Sequence, residues 1–476
     1  MCLPRTNWIL GIVLLTLAGP PSCSPDHARA VEPLPNFIII LCDDLAYQDI
    51  GPFGSTNHRT PHLNRMAAEG RKFTSFYVTA SLCTPSRSSL MTGSYPRRVG
   101  LHKNEQGRGV LSPGNTRGLS ADEITITEIL SQRGYATGIV GKWHLGDQPE
   151  FLPTRHGFDY FFGLPYSNDQ GRDTFPQYGL PPPPLLRNDE VIEEEPDQAQ
   201  LTRRYTEEAI QFITKHKDSP FFLYLPHTMP HYPFRASEAF RGKSADGIYG
   251  DVIEEIDWST GQVLEAVKEL GIDERTLVIF LSDNGGAARR SHPLRGGKAS
   301  TWEGGLRVPC IMRWPGRIPA GTISGDLATM MDLLPTLAKL AGGAPPPDRI
   351  IDGKNIRSLM LGEEGAATPH DRFYYYQVGS LAAVRSGKWK LHLGRFVRRE
   401  GKSGWESTLE LYDLDADIGE TVNLADEHPE VVEQLRALAE EARQDLGDDA
   451  TGQTGENTRP PGEVQQARTL TTALSN

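Results

Sequence analysis

Four short runs, Phe37-Ile38-Ile39-Ile40-Leu41, Ala136-Thr137-Gly138-Ile139-Val140, Phe221-Phe222-Leu223-Tyr224-Leu225 and Leu277-Val278-Ile279-Phe280-Leu281, carry no charge and no polar alternation. Such runs predict central strands covered on both faces. Between them apolar residues recur with helical spacing over Pro61 to Glu69, Ile124 to Arg133, Gln200 to Lys215 and Ile248 to Leu270. Strand and helix in alternation predict an α/β fold around a mostly parallel sheet. After about residue 365 the texture changes to Phe373-Tyr374-Tyr375-Tyr376, Ala382-Ala383-Val384-Arg385, Trp389-Lys390-Leu391-His392 and Glu410-Leu411-Tyr412-Asp413, the pattern of a small antiparallel sheet, with a helix from about Pro429 to Leu446. The expected division is a catalytic α/β domain over 31–365, a sheet-plus-helix subdomain over 366–447, and a Gly-, Thr-, Gln- and Pro-rich tail over 448–476 expected to be disordered. The prolines of Gly179 to Pro184 predict a rigid surface loop, and the acidic run Asp189 to Asp197 a solvated face.

In open α/β sheets ligands bind beyond the carboxyl ends of the strands. The strand-like runs lead there into Asp43-Asp44, into Lys142 and His144, into His227 and His231, and into Asp283-Asn284. Polar chemistry therefore collects on one edge. Lys142 and His144 are two residues apart, so both can face the same crevice. Asp43, Asp44, Asp283 and Asn284 offer only oxygen ligands, which suits a hard divalent cation, Ca²⁺ before Mg²⁺, rather than zinc.

A formal net charge of −12 argues against a general nucleic-acid binder, so an anionic substrate requires a local basic pocket. Arg5, the apolar run Trp8 to Ala18 and the polar stretch ending Ala28-Arg29-Ala30 read as a secretory signal over residues 1–30, with a secreted or periplasmic destination. Pro20-Pro21-Ser22 ahead of Cys23 fits a lipoprotein cleavage site poorly, and no later segment is apolar enough to span a membrane. Removing the signal leaves Cys42, Cys83 and Cys310, too few for a disulfide scaffold; Cys42 and Cys310 read as buried free thiols.

Cys83 opens the densest segment, Cys83-Thr84-Pro85-Ser86-Arg87-Ser88-Ser89-Leu90-Met91-Thr92-Gly93. Helix capping accounts for Thr84, Pro85 and Gly93. It leaves Cys83, Ser86, Arg87 and Thr92 unexplained. This segment, together with Gly134-Tyr135-Ala136-Thr137-Gly138-Ile139-Val140-Gly141-Lys142-Trp143-His144-Leu145-Gly146, resembles the hallmark motifs of type I formylglycine-dependent sulfatases. Gly157-Phe158-Asp159 and Gly163-Leu164-Pro165-Tyr166-Ser167-Asn168-Asp169-Gln170 are similar to the arylsulfatase A and N-acetylgalactosamine-6-sulfatase branch.

The resemblance implies an alkaline phosphatase-like, doubly wound mixed sheet flanked by helices. It implies that Cys83 is oxidised by a formylglycine-generating or anaerobic maturing enzyme to an aldehyde, whose hydrate attacks the sulfur of a sulfated carbohydrate or glycosaminoglycan-type polysaccharide. Asp43, Asp44, Asp283 and Asn284, with the modified Cys83, would hold the cation. Arg87 would steady the hydrate, Lys142 and Lys298 would contact the sulfate, His231 rather than His227 would protonate the leaving alcohol, and His144 would help regenerate the aldehyde. Asn168, Asp169, Arg155, His156, His292 and Arg295 are candidates for the substrate rim. Ala46 and Gln48 stand where the family has glycines, which questions the local loop geometry. Two other readings stay open: a phosphate-ester hydrolase of the same superfamily, which would need a second metal, and a sulfated-glycan binder that never receives the aldehyde.

Overall fold

The structure is a computed structural model that describes residues 1–12, 33–172, 174, 177, 179–399 and 402–470. Met1–Pro33 and Leu34–Asn476 are separate compact units. Most of the expected signal segment, including Cys23, lies outside the described residues.

The large sheet contains β1 (Asn36–Cys42), β2 (Arg71–Tyr77), β3 (Ala136–Val140), β4 (Tyr160–Gly163), β5 (Pro184–Arg187), β6 (Glu190–Glu194), β7 (Phe221–Pro226), β8 (Thr276–Ser282), β9 (Arg307–Arg313) and β10 (Thr322–Ser324). Its order is β10-β2-β9-β8-β1-β7-β3-β4-β5-β6. The middle, β8-β1-β7-β3-β4, is parallel, while β9 runs antiparallel to both β8 and β2 and the β4-β5-β6 edge is antiparallel. Alternate residues of β1 enter different cores: Phe37, Ile39 and Leu41 join one, Ile38, Ile40 and Cys42 the other. This two-sided burial explains the unbroken apolar run. Each fully buried Ile, Leu or Phe contributes about 1.5–3 kcal/mol.

The described helices include α1 (Pro61–Glu69), α2 (Cys83–Thr92), α3 (Ile126–Ser131), α4 (Leu201–His216), α5 (Gly247–Glu269), α6 (Leu333–Leu340) and α7 (Pro429–Leu446). Helices α1, α4 and α5 share the core of Ile38 and Ile40, whereas α2, α3, α6 and α7 share that of Phe37 and Ile39. A smaller antiparallel sheet, β11 (Phe373–Gln377), β12 (Ser380–Ser386), β13 (Trp389–Arg399) and β14 (Lys402–Asp413), adds Phe373, Tyr375, Leu381 and Leu391 to the second of these cores. The two sheets therefore share one apolar interior.

A buried polar knot joins them. Glu303 accepts hydrogen bonds from Lys390 (3.0 Å), Tyr375 (3.2 Å) and Tyr77, and Lys390 also lies 2.9 Å from Glu420.

The segment after residue 448 departs from the expected disordered tail. Gly462–Glu463 pairs with Arg117–Gly118, Arg459 forms a bidentate pair with Glu123 (2.6 and 3.0 Å), and the Arg468 amide donates to Gln148 (2.6 Å). Composition misleads here because this stretch draws its hydrogen bonds from loops of the main body rather than from a core of its own. Residues 471–476 lie outside the described part.

Candidate active site

The sheet register builds the site. Cys42 and Ser282 are partners across β1 and β8, and the Asp283 amide donates to the Cys42 carbonyl at 3.0 Å, so Asp43 and Asp283 emerge side by side. On the other flank of β1, Leu41 pairs with Pro226 of β7, whose carbonyl accepts from the Lys142 amide at 2.8 Å. The passage from β3 to Lys142 requires Gly141: its φ is +135°, and a Cβ there would lie 1.9 Å from the Pro226 carbonyl oxygen. Asp44 and His144 also have left-handed φ values, +68° and +65°. Strained backbone of this kind, about 1–3 kcal/mol per residue, persists only where its surroundings enforce it. Neither Ala46 nor Gln48 has a positive φ, so neither place needs the glycine of the family pattern.

Helix α2 brings Cys83 to this edge. The thiol is buried, donating to Asp43 at 3.4 Å, with the Lys298 ammonium 3.9 Å from the sulfur. One turn on, Arg87 donates from Nε to Asp283 (3.0 Å) and from Nη1 to the Lys142 carbonyl (2.7 Å), and its Nη2 lies 3.9 Å from Asp43. Lys142 donates to Asp43 at 2.5 Å and to Ser167 at 3.0 Å; Lys298 donates to Asp44 at 2.7 Å. Asn284 donates to Asp44 at 2.7 Å, and His231 Nε2 lies 3.5 Å from the same carboxylate.

The electrostatics are tight. Burial works against a charged Asp43, but Lys142, His231, Arg87 and Lys298 together hold its carboxyl well below the usual range. Burial and the neighbouring Asp43 charge push Asp283 up to about 7 despite Arg87. Burial and Asp43 likewise raise the Cys83 thiol, so the unmodified side chain is not an activated thiolate. His144 donates from Nε2 to the Leu111 carbonyl at 3.0 Å, and burial together with Lys142 keeps the ring neutral. Its Nδ1 is then a bare acceptor, buried without a partner. His231 donates from Nδ1 to the Tyr232 carbonyl, which turns Nε2 toward Asp44.

The residues present fit a divalent cation. Asp43, Asp44, Cys83 and His231 offer ligand atoms within 4.8 Å of one another, and the buried Asn284 Oδ1 has no hydrogen-bond partner. Within this group Asp43 and Asp44, with the Asn284 amide oxygen beside them, offer the hard oxygen donors that Ca²⁺ or Mg²⁺ takes.

Known proteins share this architecture. The family description Sulfatase matches residues 35–344, and N-sulphoglucosamine sulphohydrolase, C-terminal, matches 297–445. The chain is 40% identical to arylsulfatase A of Bos taurus over 90% of its own length and 89% of that protein. This chain belongs to the sulfatase family. It is 42% identical to N-acetylgalactosamine-6-sulfatase of Mus musculus, covering 77% of this chain and 73% of the relative. The crystal structure of PsFucS1 sulfatase from Pseudoalteromonas sp. superposes with a TM-score of 0.78 at 27% identity, covering 86% of this chain and 89% of that one. The enzyme is thus a sulfuric ester hydrolase.

Of the rim candidates, the sulfatase fold places Asn168 beside the site, buried and donating to Gln198 at 3.2 Å, with the half-exposed Asp169 next to it. The others go elsewhere. Arg155 pairs with Asp189, His156 is buried against Trp143, Arg295 lies over Trp302 and donates to the Glu420 carbonyl, and His292 is exposed with no described contact to the Cys83 cluster. His227 is buried 3.3 Å from the Ser259 hydroxyl, consistent with a structural histidine. Sequence reading missed Ser167, which holds Lys142, and Gln170, whose amide shares the Leu111 carbonyl with His144. Both follow β4, so the strand-end rule would have found them had Tyr160–Gly163 been read as a strand.

Proposed function

We propose that the chain hydrolyses sulfate esters of a carbohydrate through an aldehyde made from Cys83 and a divalent cation, Ca²⁺ before Mg²⁺, held by Asp43, Asp44, Asp283 and Asn284. The observation that carries this is the convergence of those four residues with Arg87, Lys142, Lys298 and His231 around one buried cysteine. Formylglycine at 83 would supply a hydrated carbonyl as nucleophile, and the cation would supply charge to bind and polarise sulfate oxygens. Lys142 and Lys298, both kept charged by the carboxylates beside them, bind the remaining sulfate oxygens. Arg87 orients Asp283 and Asp43. His231 Nε2, 3.5 Å from the Asp44 carboxylate, gives a proton to the departing alcohol; His144 Nδ1, bare and neutral, takes one from the nucleophile's side.

Among the described residues a single acidic cluster of this kind occurs, which supports sulfate over the two-metal phosphate-ester reading. The names of the relatives, an N-acetylgalactosamine-6-sulfatase among them, support a sulfated sugar as substrate. No described helix is long and apolar enough to cross a membrane, and the apolar run Trp8 to Ala18 supports export to a secreted or periplasmic site. Maturation there implies a formylglycine-generating or anaerobic maturing enzyme as partner.

The test is peptide mass spectrometry across Cys83 on protein from a host that installs the aldehyde, alongside sulfate release from 4-nitrophenyl sulfate. Conversion of the thiol, with turnover lost in Cys83→Ala, is the expected result. An intact thiol in protein that still turns over would overturn the aldehyde mechanism; a converted residue without turnover would overturn the activity.

A further inference from the structure

Two loops of the active site are held from outside by the stretch that follows residue 458. Arg459-Pro460-Pro461-Gly462 cannot continue a helix, because consecutive prolines remove amide donors and keep the backbone extended. The stretch is anchored at both ends. Arg459 forms its bidentate pair with the buried Glu123 (2.6 and 3.0 Å) and donates through its amide to the Arg98 carbonyl, while Leu470 enters the core of Phe37 and Ile39. Gly462 permits the crossing between them: a Cβ there would lie 2.7 Å from the Phe151 ring and 3.0 Å from the Leu119 carbonyl oxygen.

Between its anchors the stretch crosses two loops that meet at His144. The first, 111–119, supplies the Leu111 carbonyl that accepts from His144 Nε2. It is bound from outside by the Val464 amide, which donates to the Thr116 carbonyl (2.9 Å), and by the pairing of Gly462–Glu463 with Arg117–Gly118. The second, 145–151, carries the buried Gln148, which accepts from the Arg468 amide (2.6 Å) and donates back to the Arg468 carbonyl (3.1 Å). The loops are also tied to each other: the Leu119 amide donates to the Leu145 carbonyl (2.8 Å), and Asp147 accepts from Gln148 (2.9 Å) and from the Gly114 amide (2.7 Å). His144 itself has a φ of +65°, which persists only where its surroundings enforce it. Loops of this kind are among the first parts of a fold to open, so the enforcement has to come from contacts made across them.

We propose that residues 459–470 are a positioning strap for His144. By pinning 111–119 and 145–151 together they keep the Leu111 carbonyl on Nε2 and so hold Nδ1 where it takes its proton. The inference rests on the proton-accepting role proposed for His144 and adds that this role depends on a segment distant in sequence that touches no reacting atom.

Three matured proteins are compared: wild type, a chain ending at Thr458, and Gly462→Val, which wedges the strap outward without removing it. The truncation also takes Arg459 from Glu123, so the point variant carries the test if the shortened chain fails to fold. On 4-nitrophenyl sulfate each variant is expected to lose about tenfold or more in kcat with KM changed less than about twofold, since a misplaced catalytic group is felt in the chemistry rather than in binding. In a His144→Ala background the same changes should cost less than about threefold, because the group they position is gone. Variants that keep kcat, or that lose it as fully without His144, would overturn the positioning role. Hydrogen exchange answers independently of turnover: in Gly462→Val the amides of 111–119 and 144–151 should exchange at least about tenfold faster while those of β1, β7 and β8 keep their protection. Unchanged exchange in the two loops would overturn the strap even where activity falls. A wild type that releases no sulfate defeats the reading of His144 instead, and the exchange result still decides whether the strap holds the loops.

Discussion

Glu303 follows the loop that carries Lys298 and is where that loop locks to the small sheet, so Glu303→Gln tests whether the knot between the sheets bears load. The substitution keeps the shape and removes the charge. In the native protein the carboxylate faces Lys390 (3.0 Å), Arg307 (3.4 Å) and the Tyr375 and Tyr77 hydroxyls, all buried. Removing one partner of a buried ion pair costs about 3–5 kcal/mol, because the other is left uncompensated. Here Lys390 retains Glu420 at 2.9 Å, which places the expected loss near the lower end, about 3 kcal/mol. For a unit as long as Leu34–Asn476, an unfolding entropy of about 2.1 cal/mol/K per residue converts this to a fall in midpoint of roughly 3 °C.

The pH dependence is the sharper readout. Burial raises the Glu303 carboxyl, but Lys390, Arg307 and Arg385 outweigh it and hold the group down at about 2. A carboxyl depressed in the folded state stabilises fully above its unfolded value and loses that contribution as pH falls toward its folded one. The gap between wild type and Glu303→Gln in thermal scans at one fixed rate should therefore stay constant from about pH 8 to 6 and close between about 4.5 and 2. Equal midpoints at neutral pH, or a gap that does not shrink on acidification, would refute the charged knot.

Four further outcomes follow from the site. His231→Gln should slow release from an alkyl sugar sulfate more than from 4-nitrophenyl sulfate, by about tenfold or more, because only the poor leaving group needs the proton; equal losses on both would remove His231 from that role. Ser167→Ala should lower kcat/KM roughly tenfold by freeing Lys142, with the thermal midpoint little changed. Gly141→Ala, whose Cβ would meet the Pro226 carbonyl at 1.9 Å, should yield insoluble protein or lose at least about 100-fold in turnover, checked by circular dichroism and sulfate release. Chelation should lower both sulfate release and the thermal midpoint, and added Ca²⁺ should restore both; a midpoint indifferent to Ca²⁺ would contradict the assigned ligands.

Much of this was legible in the sequence because it was written in pairs at strand ends. The apolar runs gave the buried strands, and reading two residues past each gave Asp43, Lys142 and Asp283. What stayed hidden was set by backbone conformation and by non-local pairing. Nothing in the chain announces that Asp44 and His144 adopt left-handed φ, or that β9 reverses direction between β8 and β2. The acidic run Asp189 to Asp197 is the solvated face its composition suggests, with Asp189, Glu190, Glu194, Glu195 and Asp197 all exposed. The rim candidates His292 and Arg295 part company, since the loop sends one to solvent and the other onto Trp302.

The register explains why the carboxylates tolerate one another. Neighbouring parallel strands lie about 4.8 Å apart, so Asp43 and Asp283, each the first residue after a strand and locked through Cys42 and Ser282, cannot separate without breaking the sheet. Their repulsion is visible in Asp283, pushed up to about 7 by burial and by Asp43. The fold brings its own partial relief: Arg87 reaches across from α2 to Asp283 and Asp43, while Lys142 and Lys298 arrive from loops that belong to neither strand. Three carboxylates and three permanent cations are thus interleaved so that each cation already has an anionic partner. A sulfate group entering this site is attracted only to the extent that a bound cation takes over the carboxylates and frees the lysines to turn toward it. Cation and substrate should therefore bind cooperatively, each raising the affinity for the other by the same factor.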